Sequence, residues 1–175
     1  MHPLVELAQQ AIQQYLATGQ ILPAPANLPP EMQQPAAVFV SLHTGTGDLR
    51  GCRGTLTPTE PTLAEAVIQT AIASAVDDPR FPPMLLPEIN GLNINIDVLS
   101  PLEPISDASS LDPKIYGVVI RAGKRRGVLL PDIPSVDSVA RQLEVVRRKA
   151  GISPNEPADL YRFTVTRYYA DSEGF

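Results

Sequence analysis

The 175-residue sequence predicts an α+β fold, a mostly antiparallel sheet flanked by helices. Two observations carry this. Segments of period-two alternation are interspersed with segments of helical spacing, without the regular strand–helix alternation of a parallel sheet. Several neighbouring strand segments are also joined by only a short turn. With 43% hydrophobic and 19% charged residues the chain is globular rather than disordered, and long enough for one core or two interlocked subdomains. Tryptophan is absent and aromatics are only 5%, so Val, Ile, Leu and Ala must fill the core. The 19 prolines cluster at 23–35, 58–61, 79–87, 101–104 and 154–157 and divide the chain into short elements.

Leu4, Leu7, Ala8, Ala11, Ile12, Tyr15 and Leu16 follow helical spacing, and Gly19 is placed to stop that helix. Residues 20–36 read as a proline-rich surface connector. Ala37–His43 reads as a strand with Val38, Val40 and Leu42 on one face and Phe39, Ser41 and His43 on the other. A turn over 44–48 leads to a glycine-interrupted strand, Leu49–Thr55. Thr62 and Glu65 form a capping box for a helix to about Val76, apolar nearly all round and so deeply buried. Leu92, Ile94, Ile96 and Val98 alternate with Asn93, Asn95 and Asp97, as in a half-buried strand. Tyr116–Arg121 and Arg126–Leu130 make a hairpin through Gly123. Val136, Val139, Ala140, Leu143 and Val146 mark a last helix that ends in Arg147-Arg148-Lys149 with Gly151 beyond it, and Tyr161–Thr166 closes the chain as a strand.

Net charge is −5, distributed unevenly: −9 over residues 1–112 and +4 over 113–175. The basic third can attract an anionic partner, although such dispersed arginines also suit a solvated surface. A net acidic chain argues against general coating of nucleic acid. The one cysteine cannot form an internal disulfide, which suits a reducing compartment. The N-terminus lacks a basic, apolar signal pattern, and no stretch approaches the roughly 20 apolar residues of a membrane helix. The expectation is a cytoplasmic protein with no membrane contact.

The run Leu49-Arg50-Gly51-Cys52-Arg53-Gly54-Thr55 is the most informative segment. It sets the sole cysteine between two arginines and two glycines. Positive charge stabilises a thiolate, so Cys52 is the candidate nucleophile; a buried thiol acting as a small hydrophobe is the competing reading. In a regular strand Arg50 shares the face of Cys52, and Arg53 points away. A hairpin that sets His43 opposite Leu49 turns His43 away from Cys52, and His2 lies in a terminus expected to fray. Gly51 and Gly54 can open backbone N–H groups to an anion, or can permit close packing. Arg80 is a counter-charge for that anion or a tie to Asp77 or Asp78. One Cys and two His show no metal-ligand spacing, so no metal is expected. Lys124-Arg125-Arg126 and Arg147-Arg148-Lys149 read as solvated runs, the latter also as a dock for an acidic partner.

Four ordered blocks resemble the AMMECR family. They are Phe39-Val40-Ser41-Leu42 with Leu49–Thr55, Asp78-Pro79-Arg80-Phe81-Pro82-Pro83, Ile96-Asp97-Val98-Leu99-Ser100, and Gly127-Val128-Leu129-Leu130-Pro131 with Lys149-Ala150-Gly151 and Tyr161-Arg162-Phe163 behind it. The likeness spans roughly residues 3–170. Arg53 departs from the family's usual apolar residue, and segment 132–138 is shorter and lacks the family's tryptophan. The resemblance implies one domain over 1–175 with a larger and a smaller subdomain and the signature near a cleft between them. As partners it implies a Memo-like protein and a radical S-adenosylmethionine enzyme. It implies no particular reaction and no cofactor.

Three functions follow as expectations. The first is binding of a small anionic ligand or an acidic partner segment around Arg50, Gly51, Cys52, Gly54, Thr55 and Arg80, with His43 at the margin. The second is acyl or alkyl transfer by Cys52 beside the radical S-adenosylmethionine partner, and the third is a protein–protein adaptor. RNA binding is weaker, hinted at only by Arg162, Arg167, Tyr168 and Tyr169.

Overall fold

The computed structural model describes residues 1–175. In chain order its elements are α1 (Pro3–Thr18), α2 (Pro30–Gln33), β1 (Ala37–His43), β2 (Leu49–Gly54), α3 (Leu63–Val76), β3 (Asn93–Leu99), β4 (Glu103–Ile105), β5 (Gly117–Ala122), β6 (Arg125–Leu129), α4 (Val139–Ala150), β7 (Asp159–Phe163) and β8 (Val165–Tyr168). This is the expected α+β architecture, but with two four-stranded sheets, ordered β2-β1-β3-β8 and β4-β7-β5-β6. Two compact units result: Met1–Leu99 with Thr166–Phe175, and Ser100–Val165. No helix is long and apolar enough to cross a membrane.

In the first unit β1 pairs antiparallel with both β2 and β3. Val38, Val40, Leu42, Ile94 and Ile96 form one face of this sheet and pack with α1 and α3 into a single core. Helix α3 is buried around most of its circumference, as its sequence predicts. The Thr62 hydroxyl caps it by accepting the Glu65 N–H. Gly19 ends α1 in the left-handed region. The connector over 20–36 is not wholly a surface strap: α2 interrupts it and buries Met32. Proline at its first turn presets the helical φ, so one turn forms where the sequence shows no periodicity.

In the second unit β5 lies between β6 and β7, antiparallel to both. Val118, Ile120, Leu129, Val136, Val146 and Ile152 form its core with α4. That helix starts at Val139, not Val136, because Ser138 caps it by accepting the Arg141 N–H. Strand β4 was not legible; it is three residues long, contains Pro104, and sits at a sheet edge, where proline is tolerated. The closing strand is two strands. Between them Thr164 exchanges hydrogen bonds with Ser100, its carbonyl accepting from the Ser100 N–H and its own N–H donating to the Ser100 hydroxyl.

His2, expected to fray, is 1% exposed. Its ring stacks on Tyr168 at 4.4 Å and meets Phe175 edge-on at 5.0 Å. Its Nδ1 accepts the Leu4 N–H at 3.3 Å and so caps α1. That acceptor role fixes the neutral tautomer with its proton on Nε2. Burial, aided by the N-terminal charge, holds the imidazole below its ordinary value. The unfolded chain therefore binds the extra proton more readily, and stability falls as pH drops through and below about 6.5. Replacing His2 by Asn retains a capping oxygen and removes the titration. Thermal melts between pH 7.5 and 5 are expected to show a smaller acid-dependent loss in H2N than in the parent chain.

The signature strand β2 is held by the last turns of α3. A Cβ at Gly51 would lie 2.0 Å from the Ser74 carbonyl oxygen, so any side chain there pushes helix and strand apart. The Ser74 hydroxyl accepts the Arg53 N–H at 2.9 Å and donates toward the Val40 carbonyl at 2.9 Å and the Thr70 carbonyl at 2.8 Å. Overpacking of this kind costs about 1–3 kcal/mol or more. Urea denaturation should show a loss of that size for Gly51→Ala. Gly45→Ala, whose nearest contact is an ordinary 3.5 Å, should change stability by less than about 0.5 kcal/mol.

Candidate functional site

The turn between β1 and β2 sets His43 opposite Leu49, as the sequence predicts, but the ladder then shifts: Leu42 faces Gly51 and Ser41 faces Cys52. Strand β2 carries one extra residue at Arg50, a β-bulge, which re-aims every residue beyond it. Cys52 thereby joins the face of Ser41, opposite the apolar core. Because β1 also pairs Ser41 with Asn95 and Phe39 with Asp97, this face carries two rows. One is Cys52, Ser41 and Asn95; the other is Gly54, Phe39 and Asp97. The Ser41 hydroxyl donates to the Cys52 sulfur at 3.2 Å. The bulge also overturns the expectation that His43 is turned away from Cys52: His43 lies further along the same side of β1, although the thiol's hydrogen-bond partner is Ser41 rather than this imidazole.

Two buried carboxylates organise the surroundings. Asp78 is 4% exposed and accepts the Cys52 N–H at 2.9 Å, the Arg80 N–H at 3.0 Å, and two guanidinium donors of Arg80 at 3.1 and 2.8 Å. These hydrogen bonds, the Arg80 side chain's foremost, hold its carboxyl well below the usual carboxylate range despite burial. Asp97, on β3, is 1% exposed and accepts a two-pronged contact from Arg167 of β8 at 2.6 and 2.9 Å. The half-buried strand expected over 92–98 is therefore buried on its polar side too, with Asn95 at 9%. The thiol sits among these charges. Burial pushes Cys52 upward, and the nearby Asp97 and Asp78 add to this. The Ser41 hydrogen bond and the Arg80 charge oppose it without reversing the direction.

The guanidinium acting on the thiol is thus that of Arg80, not Arg50 or Arg53. Arg50, displaced by the bulge, donates to Glu88 at 2.8 and 3.2 Å and to the Pro82 carbonyl at 3.0 Å. It and Arg80 flank the Phe81 ring, at 6.0 and 5.5 Å from its centre. Arg53 is exposed. Both glycines are required by close packing, and Gly54 also lines the cavity beside Thr55. Gly51 is filled by α3, and a Cβ at Gly54 would meet the Phe39 ring at 2.3 Å. Thr55 donates its N–H to Val38 and lines a separate polar cavity of about 410 Å³ with Arg53, Thr59, Gln69 and Asp77.

Sequence reasoning missed Asp97, Arg167, Ser41 and Asn95 as site residues. It offered Asp78 as one of two ties for Arg80, and that tie forms. Asp97 and Asn95 were visible only as the polar half of an alternating strand. The RNA hint disperses: Arg162 is tied to Glu103 and lies over Tyr116, Arg167 to Asp97, and Tyr168 to His2. No cluster of three His, Cys, Asp or Glu side chains is placed to hold a metal.

A sequence model described as AMMECR1 matches residues 5–171. A Thermotoga maritima protein is 46% identical over 169 residues, covering 95% of this chain and 97% of its own length. A Clostridium acetobutylicum protein is 40% identical over 169 residues, which make up 95% of this chain but 36% of that longer protein. Among solved structures, the crystal structure of an uncharacterized protein from Pyrococcus horikoshii matches with a TM-score of 0.87 and 36% identity, over 96% of this chain and 90% of that one. The matched span takes in both ion-paired carboxylates and the whole Leu49–Thr55 run. The chain belongs to the AMMECR1 family.

Proposed function

We propose that the polar face around Cys52 binds a small anionic ligand, or the acidic end of a partner segment, with Arg80 as the principal counter-charge. One observation carries this reading: both ion pairs bury the carboxylate and leave the guanidinium as the exposed half. Side-chain exposure is 56% for Arg80 against 3% for Asp78, and 32% for Arg167 against 1% for Asp97. Each pair is neutral as a whole, yet each presents its positive end outward in a fixed orientation. Asp78 engages Nε and Nη2 of Arg80 and thereby pre-orients the fork. Ser41, Asn95 and the neutral thiol supply polar groups on the same face. Arg50, held by Glu88, and Gly51, packed on α3, shape the strand rather than touch the ligand. In the reading as an adaptor, the acidic segment belongs to a partner such as the Memo-like protein or the radical S-adenosylmethionine enzyme. The Clostridium relative, in which the domain occupies 36% of a longer chain, makes an attached partner a natural place to look. A half-buried single thiol suits the reducing cytoplasm as the working compartment.

Isothermal titration with pyrophosphate, citrate and ATP tests the anion site. At least one should bind, and Arg80→Gln should weaken it about tenfold, the value of one charge-assisted hydrogen bond. Absence of binding by all three, or equal affinity in R80Q, overturns the proposal. Cys52 is not assigned as a nucleophile, because burial keeps it protonated at neutral pH. Its iodoacetamide reactivity should rise only above the ordinary thiol pKa of about 8.5. Arg80→Gln, which removes an opposing positive charge, should move that rise to higher pH. A rise below pH 7 would restore the covalent-transfer reading.

A further inference from the structure

The second unit carries a cavity that the Cys52 site does not use. It measures about 620 Å³ and lies along α4, lined by Ala140, Leu143, Ile152 and Pro154 with Glu144, Arg147 and Arg148 beside them. Its walls are mostly hydrocarbon, and its volume falls in the range of small-molecule sites. The charge around it is one-sided. Glu144 is engaged by Arg148 at 2.7 Å and by Arg141 at 3.0 Å, so the single acid is shared between two bases. Arg147 has no carboxylate in hydrogen-bond contact. Its Nη1 donates to the Ser153 and Glu156 carbonyls at 2.8 and 2.9 Å, which hold the guanidinium in place without neutralising it. Glu156 acts on this guanidinium only through its longer-range charge, its carboxylate being ion-paired to Arg125, and an apolar cavity beside a fixed arginine with donors to spare calls for an occupant with matching halves.

We propose that this cavity binds an amphiphilic monoanion: a carboxylate on an alkyl or aryl body. The body lies against Leu143, Ile152 and Pro154, and the carboxylate takes the remaining donors of Arg147. The basic run at the end of α4 is then half of a ligand site as well as a helix terminus. The walls supply hydrophobic affinity, and Arg147 supplies the sign preference. This site shares no residue with the face around Cys52, so it stands or falls independently of the anion site there.

The test is a nuclear magnetic resonance titration of the whole chain with octanoate, octylammonium and octanol. Octanoate should shift the amide signals of Ala140, Leu143, Arg147 and Ile152 in a saturable way. Octanol should bind about tenfold more weakly, and octylammonium more weakly still. Arg147→Gln should remove the preference for octanoate over octanol. Because Arg147 also secures the loop after α4, a second variant guards against a folding defect. Ala140 is exposed, so Ala140→Trp fills the cavity from the surface while leaving the core intact. A140W should abolish the octanoate shifts. Equal binding of all three probes, shifts scattered away from α4, or unchanged octanoate binding in A140W would each overturn the proposal.

Discussion

The close seat of α3 on β2 governs the candidate site. Gly51 lets the Ser74 backbone approach, and the Ser74 hydroxyl inserts between the Arg53 N–H and the Val40 carbonyl, two residues that face each other across the ladder. Immediately after the helix, Asp78 accepts the Cys52 N–H, which points away from β1 on what is otherwise an edge strand. A typical hydrogen bond nets only about 1 kcal/mol, but a buried donor left without a partner costs about 1–3 kcal/mol. The helix terminus therefore supplies partners that the bulged ladder cannot. It also covers an edge that would otherwise offer itself to another strand.

The two buried carboxylates rank above every surface ion pair in the chain. An exposed pair such as Arg148–Glu144 on α4 is screened by solvent and contributes little. Stripping the arginine from a buried acid costs about 3–5 kcal/mol, because the charge remains without compensation. Asp78 and Asp97 are thus anchors first, and ligand chemistry can draw only on the outward halves of their partners. Burial first, and to a smaller extent the same acids, push the thiol above its ordinary range. The arginine-flanked cysteine of the sequence is consequently less nucleophilic than its neighbours in the chain suggest, because the bulge sends Arg50 to Glu88 and Arg53 to solvent.

Periodicity located α1, β1, α3, β3, the β5–β6 hairpin and α4 to within a few residues, because each is long enough to bury one face. It failed where a contact distant in sequence decided the outcome. Strand β4 exists only because β7 offers it an edge. The polar side of β3 is buried only because Arg167, seventy residues away, meets Asp97. His2 is ordered because Tyr168 and Phe175 close over it. At the site, Cys52, Arg80 and the block beginning at Asp78 were legible as a group. Their mutual geometry was not, since a single inserted residue at Arg50 reverses the face of everything beyond it.

By itself the sequence determined the α+β class, the Thr62 cap of α3, the glycine stops of α1 and α4, and the family resemblance. These depend on local spacing and on residues adjacent in the chain. Tertiary structure decided which guanidinium stands beside the sulfur, which glycines are closed by packing, and that Asp78 and Asp97 are buried. Those outcomes depend on strand register and on the approach of a helix, and neither quantity is written in any short stretch of residues.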